Sequence, residues 1–169
     1  MPKLPIHVYT IQTPNGMRDY ISCLQPDQVF ETGLLPEAIM GILNKPLAEI
    51  GSITASFFSP NPAFVSFMNA LIAREGPNTR SLIEAAKRQG DGYIYLIDQR
   101  TIEPQGEVPA QDVIGAFQVV SGQVDPKSYK PSTNHKILTE DGFVQLGNEL
   151  QDILLMSLSN LPEQAKECR

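Results

Sequence analysis

Residues 91–124 read DGYIYLIDQRTIEPQGEVPAQDVIGAFQVVSGQV, two apolar runs joined by a polar loop. The first run, GYIYLID, combines isoleucine, leucine and tyrosine. The second, QDVIGAFQVVSGQV, ends on the turn pair Ser121-Gly122. Short apolar runs bounded by turn residues predict strands rather than helices. The loop between them carries Glu103 and Glu107 and ends in Val108-Pro109. Carboxylates set between two buried strands are either solvated connectors or groups delivered to a cleft. Much of the functional reading turns on that choice.

The rest of the chain alternates strands with short, well-punctuated helices. PIHVYTIQT (5–13) predicts a strand, Asn15-Gly16 a tight turn, and MRDYISCL (17–24) its hairpin partner. PDQVFETG predicts a short helix with Pro26 in its first turn and Gly33 as its stop. PEAIMGILNKP predicts another, bounded by Pro36 and Pro46. GSITASFFS (51–59) predicts a strand that puts Ser52, Thr54 and Ser56 on one face, since side chains alternate with period two. NPAFVSFMNALIAREG predicts a helix capped by Asn61, with Phe64, Phe67, Met68, Leu71 and Ile72 as its core stripe. NTRSLIEAAKRQG predicts a second helix, with Ser81 and Glu84 at capping-box spacing and Gly90 as the stop. After a loop, DPKSYKPSTNH, an amphipathic helix carries Leu146, Leu150, Ile153, Leu154 and Leu158; the polar tail 162–169 is expected to fray. Strands early and late with helices between predict an α+β fold, a mainly antiparallel two-sheet core with flanking helices, in one domain over residues 1–169.

Composition narrows the function classes. With 13 Lys and Arg against 19 Asp and Glu, the net charge is −6 and no basic stripe stands out, which argues against a nucleic-acid surface. No apolar run is long enough to cross a bilayer, and MPKLP lacks the pattern of a secretion signal, so a cytoplasmic, membrane-free protein is expected. Cys23 and Cys168 are too few and too far apart for a disulfide framework, and His7 and His135 stand alone, so no metal site is expected. The chain lacks a Gly-x-Ser-x-Gly elbow, a phosphate-binding Gly-Lys loop and a dinucleotide fingerprint.

What remains is an ordered set of pieces. HVYT lies on the first strand, and PDQVFETGLLP follows. TASFFSPNPAFVSFMNAL then joins a hydroxyl-bearing strand to a helix, and YIYLID with VPAQDVIGAFQVVSG closes the series. That order resembles the ADP-ribosyltransferase domain of the cholera-toxin and heat-labile-enterotoxin A-subunit family, most specifically over residues 93–122. The resemblance implies an ADP-ribosyltransferase-like fold with NAD held in a cleft between two sheets. In that fold a carboxylate from the loop before the last strand stabilises the cation that forms as the glycosidic bond breaks. Carried over by position, it implies His7, Tyr9, Thr54 and Ser56 as cofactor-binding residues and Glu103 and Glu107 as catalytic ones.

The chain also departs from that pattern. Thr10 stands where the family has its arginine, Ala55 replaces the central threonine of Ser-Thr-Ser, and Glu103 and Glu107 are four apart rather than two. In the diphtheria-toxin-like branch, His7 would match the histidine but lacks the glycine that follows it. These departures favour a non-catalytic relative that binds a small-molecule ligand or protein partner in the former NAD cleft. The alternatives are an active mono-ADP-ribosyltransferase or NAD hydrolase using Glu103 or Glu107, and an unrelated α+β binding module.

Overall fold

A computed structural model describes residues 3–100 and 108–161 of the chain. It is a mixed α+β structure with antiparallel sheets and several helices. Strands β1 (His7–Thr13) and β2 (Gly16–Ser22) form the expected hairpin, turning on Pro14 and Asn15, with Gly16 at φ 101° opening β2 opposite Thr13. Helix α1 (Pro26–Thr32) follows and stops at Gly33, whose φ of 81° suits a residue without Cβ.

The next segment departs from the sequence expectation. PEAIMGILNKP is not a helix: a single 3-10 turn, Pro36–Ala38, leads into β3 (Ile39–Leu43), which pairs with β2. The prolines that suggested the bounds of a helix enclose instead a strand packed on both faces, where alternation disappears. Gly41 decides the matter, because a Cβ there would overlap the Phe58 ring and the Ser59 carbonyl of the neighbouring strand.

The predicted strand 51–59 is also mostly absent. A short helix, α2 (Leu47–Ile50), ends at Gly51 with φ 79°, a 3-10 turn covers Ala55–Phe57, and β4 is only Phe58–Pro60. Phe57 N–H donates back to the Thr54 carbonyl at 3.2 Å, closing the backbone into a turn. Ser52, Thr54 and Ser56 therefore do not share a strand face. The first sheet runs β1-β2-β3-β4, all antiparallel.

Helix α3 (Pro62–Glu75) begins as expected: Asn61 Oδ1 accepts from Ala63 N–H at 3.4 Å, and its amide also donates to the Pro36 and Ile39 carbonyls. Phe64, Met68, Leu71 and Ile72 are fully buried, and Phe67 packs against them half-buried. Helix α4 (Arg80–Gln89) starts after Thr79, not Ser81. Instead of a capping box, the Glu149 carboxylate accepts from Arg80 N–H at 3.1 Å, a cap supplied from 69 residues away.

The second sheet pairs β5 (Gly92–Ile97) with β6 (Val113–Val120) antiparallel. On the other edge of β6 lie β7 (Gln123–Val124), after the Ser121-Gly122 turn, and β8 (Lys130–Pro131). Gln111 and Asp112, expected in the strand, sit in a 3-10 turn before it. A small hairpin, β9 (Leu138–Thr139) and β10 (Gly142–Phe143), precedes α5 (Asn148–Ser159), which starts two residues after Leu146. One apolar cluster links Ile21 and Met40 of the first sheet, the α3 stripe, Ile114 and Phe117 of the second, and Leu150, Leu154 and Leu158 of α5. Among the described residues no helix is long and apolar enough to cross a membrane.

Candidate functional site

The residues carried over from the family resemblance are scattered. His7 and Tyr9 lie on β1, at one edge of the first sheet, while Thr54 and Ser56 precede β4, at the other. Three strand spacings of about 4.8 Å each separate those edges. Tyr9 spends its hydroxyl on the Leu24 carbonyl at 2.7 Å; burial first, and Cys23 second, raise its phenol above the ordinary range. His7 Nε2 is buried with no hydrogen-bond partner among the described residues, and its ring centroid lies 6.5 Å from that of Tyr9. Thr54 and Ser56 are exposed. Glu103 and Glu107 fall outside the described residues. Thr10, at the arginine position, donates to Asp19 Oδ1 at 2.6 Å, and Asp19 Oδ2 accepts from Leu47 N–H at 2.7 Å, so this group locks β1 and β2 to α2.

The structure brings a different set together at the end of β5. Asp98 is fully buried. Its Oδ1 accepts from Arg100 N–H at 3.1 Å and Gln145 N–H at 2.9 Å, and its Oδ2 lies 2.9 Å from His135 Nε2. Arg100 is equally deep. Its Nε donates to Asp112 Oδ1 at 2.8 Å and sits 3.6 Å from Asp98 Oδ2. Its Nη1 donates to the Ile137 and Gly142 carbonyls at 3.2 and 3.1 Å, and its Nη2 to the Gln111 and Lys136 carbonyls at 3.0 and 2.6 Å. Those contacts use all five guanidinium donors, so Arg100 has nothing left for a ligand. It ties the end of β5, the turn before β6 and the β9–β10 hairpin into one unit.

His135 is the member of this group with a free valence. An ionised carboxylate can only accept, so Nε2 carries the proton in its contact with Asp98. Nδ1 has no partner among the described residues, although the side chain is only 5% exposed. The ring lines a cavity of about 300 Å³ whose other walls are Ala55, Phe58 and Pro60, Val65 and Asn69 of α3, and the 132–138 segment. That volume lies at the low end for small-molecule sites, and the wall composition is typical of them: apolar, with a few placed polar groups. Asn69 Nδ2 donates to the Val65 carbonyl at 3.1 Å and its Oδ1 accepts from the Tyr129 hydroxyl at 2.7 Å, which fixes the amide's orientation. In a hollow of about 340 Å³ Arg100 has its donors committed, and in one of about 450 Å³ Thr10 and Asp19 are bonded to each other.

Sequence reasoning missed Asp98, Arg100, Asp112 and His135 as a group. Only the short Asp98-x-Arg100 spacing hinted at it, because the remaining members lie up to 37 residues away. Among the described residues, no group of three or more His, Cys, Asp or Glu side chains could hold a metal ion. Comparison of the chain with protein-family models, with curated proteins and with solved structures finds no match.

Proposed function

We propose that this chain is a small-ligand-binding domain, an ADP-ribosyltransferase-like relative without transfer activity, whose ligand enters the cleft beside His135. The observation that carries this reading is the imidazole itself. It is nearly buried, fixed by Asp98 through Nε2, and lines an apolar cavity with Nδ1 unpartnered. Nδ1 is not among the buried atoms that lack a partner, so it meets solvent in the cavity, and a ligand atom can take the place of that water. Two features connect the cleft to the resemblance. Its outer wall comes from the segment TASFFSPNPAFVSFMNAL, with Ala55 lining it directly, and Asp98 opens the loop in which that family keeps its carboxylate. The separation of His7 and Tyr9 from Thr54 and Ser56 is the reason for reading the domain as non-catalytic.

NAD is the first ligand to test because the resemblance implies it, and the cavity of about 300 Å³ would take one end of it. Isotope-labelled protein titrated with millimolar NAD should show shifts at Val65, Asn69 and the 132–138 amides, with nicotinamide released no faster than in buffer. Release that Glu103→Ala plus Glu107→Ala abolishes would replace this reading with the active-transferase one. Shifts confined to β1 would move the ligand to His7 and Tyr9.

A further inference from the structure

We infer that the ligand of this cleft is a small organic anion, with an apolar body about the size of one ring and a carboxylate or phosphate head facing Lys136 and Ser132. The inference rests on the cleft reading above and adds the ligand's charge. The chain carries 19 Asp and Glu against 13 Lys and Arg, yet no Asp or Glu lines this cleft. Its titratable wall residues are His135 and Lys136. Lys136 is exposed and makes no salt bridge among the described residues.

The neighbouring carboxylate does not spoil this polarity. Both Asp98 oxygens are taken by Arg100, Gln145 and His135, and Asp98 is fully buried. A ligand therefore meets the ring and not the acid. The Lys136 ammonium, exposed at the rim and outside every salt bridge of the described residues, can donate to an anionic head. Charge-assisted hydrogen bonds of that kind are roughly twice as strong as neutral ones. Ser132 adds a hydroxyl at the same rim; its Oγ accepts from Asn134 N–H at 3.2 Å, which leaves its proton to donate. The remaining walls, Phe58, Pro60, Val65, Ile137 and Leu138, offer only apolar contact, which suits a ring or short chain.

The test is a set of matched pairs: benzoate against benzamide, hexanoate against hexanamide, and phenyl phosphate against phenol. Each is titrated by chemical-shift mapping onto the parent chain and onto Lys136→Met. The exposed lysine can be replaced without loss of core packing; His135→Gln is added with its fold checked by thermal melting. The expected result is at least a tenfold preference for one anion over its neutral partner, mapped to Val65 and residues 132–138, reduced severalfold in Lys136→Met. The carboxylate and phosphate arms then identify the head group. Equal affinity within every pair at that site would overturn the anion inference and leave the cleft reading standing. No shift at the cleft with any of the six compounds would overturn both.

Discussion

Replacing Arg100 is the sharpest test of how this domain is held together. In Arg100→Met the aliphatic stem is roughly retained, but the charge and five hydrogen bonds disappear. Asp98 and Asp112, at 0% and 1% exposure, are left without their buried cation. Removing one partner of a buried ion pair typically costs about 3–5 kcal/mol, because the other charge stays buried and uncompensated. Four carbonyls also lose a charged donor, so the upper part of that range is expected. Against a typical domain stability of about 5–15 kcal/mol, this is a large fraction. With a urea slope of about 2 kcal/mol/M, a loss of about 4 kcal/mol lowers the unfolding midpoint by about 2 M. Arg100→Lys keeps the charge but has three donors in place of five, and should fall between parent and Met. Arg100→Met combined with Asp112→Asn should recover at least about 1 kcal/mol, since one of the two stranded charges is then gone. A midpoint for Arg100→Met within about 0.3 M of the parent would refute the reasoning, for it would mean that water or rearrangement replaces the guanidinium at little cost.

Other expectations follow from single contacts. Burial pushes the Cys23 thiol up to about 12, so at pH 8 Cys23 should resist iodoacetamide in the folded chain and react once urea unfolds it, as read by peptide mass mapping. Because the folded thiol titrates above the unfolded one, its contribution to stability is intact below about pH 9 and is lost as pH rises toward 12, which alkaline urea curves of the parent and Cys23→Ala would reveal. Gly115→Ala places a Cβ 2.6 Å from the Tyr129 ring and 2.8 Å from the Lys130 carbonyl, so β8 must move off β6; a loss of about 1–3 kcal/mol in thermal melts is expected. Tyr129→Phe removes the 2.7 Å hydrogen bond to Asn69 while keeping the ring on Phe117, and should cost about 1 kcal/mol by urea titration.

Local chemistry made much of the fold readable. The Pro14-Asn15 turn with Gly16 behind it sets the first hairpin, Asn61-Pro62 starts α3, and Gly33 and Gly90 end their helices with φ of 81° and 83°. Two of the misread segments share one cause: their structure is decided by neighbours remote in sequence. Ile39–Leu43 is a strand because β2 and β4 flank it, and Gly41 permits the close approach of Phe58. Arg80 is capped by Glu149, which no spacing within NTRSLIEAAKRQG can announce. The candidate site is the extreme case. His135 and Asp98 meet only after β5, β6 and the 132–138 segment have packed, so a lone histidine in a polar loop carried no sign of its partner.

The same packing explains why charged residues are worth burying here at all. An apolar cluster of equal volume is often as stable as a buried ion network, or more so, which makes stability a poor reason for this one. Its geometry suggests a better reason. Arg100 holds the carbonyls of Lys136 and Ile137, the two residues that follow His135, while Asp98 holds the His135 ring. Backbone and side chain of the polar wall are thus fixed by one cluster, and a ligand meeting that wall spends little binding energy on ordering it. On the proposed reading, stability and recognition are coupled through Arg100. Arg100→Lys, if it remains folded, should weaken anion binding at the cleft more than Tyr129→Phe does, although the guanidinium never touches the ligand.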